Sequence, residues 1–248
     1  MKVVMDKPWE LKVEDKRSFD TLFTFIIFCE DENSEPIYFK SFENSKIKVN
    51  TIGNSQSMYR NISKAIDKCV NDGILMKAKS CYELVSDGYE IWCVYDRDFD
   101  EKGGTISGID FNLSIETANK NSINVAWSND AFELWILLHL FDISNDTENY
   151  LKRTDYYLKL KTYFENHSDP NEDLIKVLHH KPFYYKKHLK SKNNFKNIVL
   201  SEIKNLTDNA INNAKKLEKI HASEIEKKKK IPCTMVHKLV ISLIEKSK

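Results

Sequence analysis

The sequence contains no uninterrupted apolar stretch of the ~18 residues or more that a bilayer-spanning helix needs, and its mean hydropathy is −0.51. A membrane span is excluded on both counts. The N-terminus, Met1-Lys2-Val3-Val4-Met5-Asp6, lacks the apolar core of a secretory signal, so the expected location is the cytoplasm. Cysteine pairs at ligand spacing are also missing. Cys29, Cys69, Cys81, Cys93 and Cys233 form no Cys-x-x-Cys, which argues against a zinc site and against disulfides. Cys29 and Cys93 fall inside strand-like apolar runs, where small buried thiols are ordinary. No internal repeat is visible. What the 248 residues do have is a hydrophobic share of 41%, enough for one large domain or for a core with a substantial extension.

Net charge is nearly absent as well, at +1, but its distribution is uneven. Residues 1–150 hold 16 Lys and Arg against 26 Asp and Glu, a net of −10, whereas residues 151–248 hold 22 against 11, a net of +11. Such asymmetry points to nucleic-acid contact by the basic half. Solvated lysine-rich helices, or docking of the two halves on each other, would give the same numbers. The most pointed basic stretch is His179-His180-Lys181-Pro182-Phe183-Tyr184-Tyr185-Lys186-Lys187-His188-Leu189-Lys190, where rings alternate with cations. Single-strand binders stack bases on aromatic rings and neutralise phosphates with lysines, so Lys181, Tyr184, Tyr185, Lys186 and Lys187 are the candidate nucleic-acid contacts. The three aromatic residues are equally readable as core. Its three histidines lack a cysteine at ligand spacing and are not read as a metal site. Lys227-Lys228-Lys229-Lys230 is either a solvated run or part of a phosphate patch.

The acidic half carries the most specific chemistry. Glu90-Ile91-Trp92-Cys93-Val94-Tyr95 reads as a buried strand and runs into Asp96-Arg97-Asp98. Phe23-Thr24-Phe25-Ile26-Ile27-Phe28-Cys29 reads as a second one and ends at Glu30. Open α/β sheets bind ligands beyond the carboxyl ends of their strands, and a hard divalent ion such as Mg²⁺ or Mn²⁺ takes one or two carboxylates together with substrate phosphates. Glu30, Asp96 and Asp98 are therefore candidate metal ligands and catalytic groups. Turn and cap residues produce similar strand endings, so the pairing of two such endings is what favours a site. Arg97 should face away from its neighbours, because consecutive strand-end residues point to opposite sides.

Four segments resemble one family. Cys29-Glu30-Asp31-Glu32-Asn33-Ser34-Glu35-Pro36-Ile37-Tyr38-Phe39, Trp92-Cys93-Val94-Tyr95-Asp96-Arg97-Asp98, the stretch from Ala126-Trp127-Ser128-Asn129-Asp130 to Phe132-Glu133-Leu134-Trp135 and His139, and Pro232-Cys233-Thr234-Met235-Val236-His237-Lys238-Leu239-Val240 look like the successive motifs of RloB-like proteins. Asp31 stands where that family usually has glycine, Ser34 where it has threonine, Asp130 where it has proline and Ile231 where it has asparagine. None of these departures removes a proposed metal carboxylate. The glycine loss bears on the tightness of the first strand-to-helix turn.

The resemblance implies a Toprim-like α/β fold: a parallel-rich sheet flanked by helices over residues 20–145, with a basic, mainly helical extension over 146–248 that packs back on it. It also implies a magnesium-dependent nuclease of bacterial anti-phage defence working beside an RloA-type ATPase of the ABC/AAA kind. A non-catalytic metal-binding partner or sensor subunit of such an ATPase is the contrasting reading. DNA, RNA and tRNA are not distinguished as substrates, and self-association is left open.

Further residues join the candidate site from their positions. Glu133, after a strand end and near a helix start, is either a fourth metal carboxylate or a complement to the helix dipole. Glu35 is a further ligand candidate one helical turn beyond Glu30. Asn129 either bonds a metal water or caps the helix expected over 131–141. His237 is either a phosphate contact or a structural histidine. Strands are also expected at 46–49 and 123–127, helices over 34 onward, 56–70, 109–119, 158–164 and 198–221, and a loop over 99–107 able to close on substrate. The segment 236–244 is readable as an apolar helix or strand.

Overall fold

A strand with no polar alternation must be covered on both faces. The computed structural model, which describes residues 22–53, 58–97 and 105–248 and gives the backbone alone for 105–110, shows β1 (Phe23–Cys29) in that position. Phe25, Ile27 and Cys29 enter one core and Ile26 and Phe28 the other, the two-residue period of an extended chain. β5 (Tyr89–Asp96) divides in the same way, with Trp92 and Val94 on the first face and Ile91, Cys93 and Tyr95 on the second. Helices α1 (Ser34–Lys40) and α4 (Glu133–Leu140) supply Tyr38, Phe39 and Trp135 to the first core. Helices α2 (Met58–Asn71) and α3 (Thr105–Lys120) supply Ile62, Cys69, Phe111 and Ile115 to the second.

The main sheet has five strands in the order β2-β1-β5-β6-β7, where β2 is Ile47–Ile52, β6 Ile123–Asn129 and β7 Cys233–Thr234. The first four are mutually parallel, so the fold is mixed α/β with a mostly parallel sheet between helices. From β1 the chain crosses to β2 on one side, and from β5 it crosses to β6 on the other. The connections diverge between β1 and β5, which makes the carboxyl ends of these two strands the topological switch point where such sheets bind ligands.

After α4 the chain is helical: α5 (Arg153–Glu165), α6 (Glu172–Leu178), a helical run from Lys192 to Ile220, and the C-terminal helix Val236–Lys246. No helix among the described residues is long and apolar enough to cross a membrane.

Several expectations need correction. The strand expected at 46–49 continues to Ile52. The hairpin of β3 (Leu75–Ala78) with β4 (Cys81–Leu84) was not foreseen, nor was β7, whose two residues pair antiparallel with Ser128 and Asn129. Both are short elements with no periodicity of their own. The helix expected over 158–164 begins at Arg153, because the Arg153 amide donates to Asp130 Oδ2 at 3.1 Å and the Lys152 amide to Asp155 Oδ2 at 3.0 Å. The helix expected over 198–221 is a composite whose π-helical turn, Phe195–Leu200, keeps Phe195, Ile198 and Val199 all buried before Thr207–Ile220 resumes. The segment expected at 236–244 resolves as a helix. Of the closing loop expected at 99–107, residues 99–104 lie outside the described residues, and the chain is helical from Thr105.

Gly53 ends β2 against the β1–α1 turn. A Cβ there would lie 3.1 Å from the Asp31 carbonyl oxygen and 3.2 Å from Glu32 Cα, both backbone atoms. Gly53→Ala is expected to cost about 1–2 kcal/mol, as overpacking does, by pushing on the turn that carries Glu30. Urea midpoints of the two proteins check this, and equal midpoints would refute the close approach.

Candidate functional site

The turn after β1 is built by its own carboxylates. Glu35 is 2% exposed, and its Oε2 accepts the amides of Glu30 at 2.7 Å and Asp31 at 3.3 Å. Asp31 Oδ1 accepts the amides of Asn33 at 2.9 Å and Glu35 at 3.2 Å. Asp31 does not take a positive φ, so where the family uses glycine this chain closes the turn with a side-chain cap. Glu30, thus presented, accepts the Asp96 amide on Oε2 at 2.8 Å, which joins the ends of β1 and β5.

Of the carboxylates expected to cooperate, Glu30 and Asp96 are joined by this bond, and Glu35 and Glu133 act on Asp96 electrostatically. The Asp96 carboxyl is held well above its usual range by burial first and then by the negative neighbours Glu30, Glu35 and Glu133. Glu35 is raised by burial and then by Asp31 and Glu30, and Asp31 is raised chiefly by burial. Two buried carboxylate oxygens, Asp96 Oδ1 and Glu133 Oε2, have no hydrogen-bond partner. Buried acceptors of this kind are costly unless something binds them, and clustered carboxylates share a strong demand for a cation. The donor set therefore fits a hard divalent ion in its chemistry. Among the described residues, however, no three His, Cys, Asp or Glu side chains are gathered closely enough to hold one ion. Asp98 lies outside the described residues.

Two cations that the sequence did not single out compensate the cluster. Lys190 Nζ lies 2.6 Å from Glu133 Oε1 and 4.0 Å from Asp31 Oδ2. Burial alone would lower its pKa, but Glu133, Tyr157 and Asp31 outweigh burial and raise it, so the ammonium stays charged. Arg153 grips the 2%-exposed Asp130 through Nη2 to Oδ1 at 3.0 Å and Nε to Oδ2 at 3.3 Å, and its charge also works to lower the Asp96 pKa. Lys190 was legible only as the end of the basic-aromatic stretch. Arg153 carried no local signal.

The remaining candidates are placed differently. Ser128 and Asn129 belong to β6 and do not cap α4, whose N-cap is Phe132 and makes no side-chain cap bond. Asn129 Nδ2 instead donates to the carbonyls of Lys227 at 3.2 Å, Lys228 at 3.3 Å and Lys230 at 2.8 Å. Arg97 donates from Nη1 to Asn129 Oδ1 at 3.3 Å and to the Lys228 carbonyl. His237 is 2% exposed, and its ring nitrogens lie 3.1 Å from the Thr234 carbonyl and 3.0 Å from Glu218 Oε2, which engages it structurally and not as a phosphate contact. Tyr185 is 2% exposed and packs on Tyr157 with ring centroids 6.0 Å apart, so its ring is not presented to a base. Lys181, Tyr184, Lys186 and Lys187 are exposed.

Compared with known families, residues 25–243 match the family described as RloB-like protein. No curated protein and no solved structure matches the chain.

Two outcomes are expected of metal-free protein. A carboxyl whose folded pKa lies above its unfolded value makes the fold lose stability as pH rises through that interval. Asp96→Asn in EDTA should therefore raise Tm at pH 8, with the gain shrinking as pH falls toward about 4; an unchanged or lower Tm at pH 8 would contradict the raised carboxyl. Lys190→Met should destabilise by about 3 kcal/mol, because Glu133 is left buried and unpaired, and Glu133→Gln added to it should recover part of the loss. A double variant no more stable than the single would show that this pair is not what Lys190 contributes.

Proposed function

Because the chain belongs to the RloB-like protein family, matched over residues 25–243, we propose that it is a Toprim-type, Mg²⁺- or Mn²⁺-dependent nuclease that hydrolyses phosphodiester bonds of DNA or RNA, tRNA included. Its setting is bacterial anti-phage or abortive-infection defence, under control of an RloA-type ABC/AAA ATPase. The observation that carries the reading is the meeting of Glu30 and Asp96 at the sheet's switch point, with the buried Asp96 Oδ1 lacking a partner.

Asp96 and Asp98 would hold the ion, with Glu133 as a further ligand and Glu30 either ligating it or serving as the general base. When bound, a divalent ion lowers the pKa of coordinated water and polarises phosphate oxygens. The chain's own residues do the rest. Glu30, oriented by the Asp96 amide and the Glu35-capped turn, accepts the proton of the attacking water as its oxygen bonds to phosphorus and the P–O bond to the leaving sugar oxygen breaks. Glu35 is spent on the amides of residues 30 and 31 and so sets the position of Glu30. Lys190 and Arg153 keep the cluster from repelling itself apart and from repelling an anionic substrate. The exposed Lys181, Tyr184, Lys186 and Lys187 lie in the segment that leads into Lys190 and are positioned in sequence to meet the substrate backbone.

One observation favours a second reading. The Lys190 ammonium already sits against Glu133 and Asp31, an arrangement that also suits a non-catalytic partner or sensor subunit whose acidic centre is structural.

A panel of DNA, total RNA and tRNA incubated with Mg²⁺ or Mn²⁺, with and without the ATPase, separates the two readings. The nuclease reading expects cleavage that is lost in EDTA and falls at least about a hundredfold in Glu30→Ala and Asp96→Ala. Absence of cleavage in every arm, with ATPase binding retained by both variants, would replace it with the partner-subunit reading.

A further inference from the structure

The basic run Lys227-Lys228-Lys229-Lys230 has a fixed place in the fold, and its four ammonium groups are not equivalent. Lys227–Lys229 form a 3-10 turn. Its backbone is fastened from inside, since Asn129, 0% exposed at the end of β6, donates to three of its carbonyls, and Arg97, between Asp96 and Asp98, donates to one of the same three. A solvated lysine run needs no such anchoring. With the carbonyls engaged by Asn129 and Arg97, the turn is held at the ends of β5 and β6.

Two of the four ammonium groups share one carboxylate. Glu226 takes Lys228 at 3.0 Å and Lys229 at 2.6 Å. Lys227 and Lys230 make no ion pair with any described residue. Lys230 directly follows the 3-10 turn that Lys227 opens, and the two side chains border the same space. They line a cleft of about 310 Å³ along the edge of β6, whose floor includes Trp92, Asn124 and Trp127. The carboxylate in that cleft, Glu218, is already committed to Lys238 at 2.8 Å and to His237 at 3.0 Å. A cleft bordered by these two ammonium groups, under a turn that Arg97 and Asn129 tie to the ends of β5 and β6, is matched in charge by a polyanion running along the β6 edge.

We infer that Lys227 and Lys230 form a second phosphate-binding subsite, which holds the phosphodiester backbone of the substrate beside the cleavage point. This rests on the nuclease reading and assigns the strand's path along the β6 edge. Asn129 is then a positioning residue. It acts on the substrate only through the lysine turn that it fastens.

The test uses two double variants that remove equal charge, K227A/K230A and K228A/K229A, each in full-length protein carrying Asp96→Asn to prevent cleavage. Binding of fluorescent single-stranded RNA and duplex DNA oligonucleotides is followed by anisotropy across a KCl series, with circular dichroism to verify folding. For K227A/K230A the expected result is about tenfold weaker binding at low salt, with the salt slope reduced, for each of the two phosphates released, by about 0.9 on the duplex and about 0.7 on the single strand. K228A/K229A, which removes the same charge from two lysines that share the Glu226 carboxylate and do not line the cleft, should weaken binding clearly less than K227A/K230A does. Equal effects of the two doubles, or none, on an oligonucleotide that the parent binds would overturn the subsite and leave the nuclease reading intact. A parent that binds neither oligonucleotide would count against the nuclease reading itself and remove the subsite with it.

Discussion

The hydrogen bond from the Asp96 amide to Glu30 is the point on which the candidate site turns, because it brings two strand-end carboxylates together where a parallel sheet leaves its crevice. Everything around it serves to keep like charges close. Glu35 accepts two amides and is fully buried to do so, and Asp31 caps the turn that a glycine would otherwise close. Glu133 arrives from the start of α4 with one oxygen against Lys190 and the other without a partner. Burial of each group raises the cost of its neighbours' charge, so the carboxylates form a single electrostatic unit, not a set of independent ligands.

That unit is compensated from far along the chain. Lys190 and Arg153 lie in the basic part of the sequence, and their targets, Glu133, Asp31 and Asp130, lie in the acidic part. The opposite net charges of the two stretches, −10 and +11, therefore have one partial explanation that involves no ligand: some of the basic charge neutralises the site from within. The rest does not. Lys181, Lys186 and Lys187 are exposed, and Lys227 and Lys230 pair with no carboxylate among the described residues, so this part of the surplus is not spent on neutralising the site.

The parts legible in the sequence were those with a local physical signature. Apolar runs bounded by carboxylates gave β1 and β5, and their order along the chain already placed Glu30 and Asp96 on one rim. The spacing of Glu35 gave its proximity but not its task, since whether a carboxylate faces a ligand or caps its own turn depends on a backbone path that spacing leaves undetermined. Asn129 was read as a cap because Ser-Asn before an apolar helix is the usual signal, and it was lost to that role because β6 runs through it and β7, formed by residues 233–234, pairs beside it. Tyr185 and His237 each had a structural and a functional reading in the sequence, and tertiary packing, which the sequence does not display, favours the structural one by burying both to 2% exposure.

Arg153 marks the limit of such reading most clearly. The acidic residues near it in sequence, Asp146, Glu148 and Asp155, give no hint of Asp130, yet its guanidinium and its amide both bind Asp130, and the second contact is what starts α5 there. An aspartate at 2% exposure is costly unless it is paired, and Arg153 pairs it. The Asp130–Arg153 clamp is thus a tether between the end of β6 and the first helix of the basic part. The same strand end fastens the lysine turn through Asn129. Two consecutive residues, 129 and 130, consequently hold both flanks of the rim, one by amide-to-carbonyl bonds and the other by an ion pair. The relation between acidic centre and basic flanks is for that reason a property of the β6 terminus and not of the charge distribution alone.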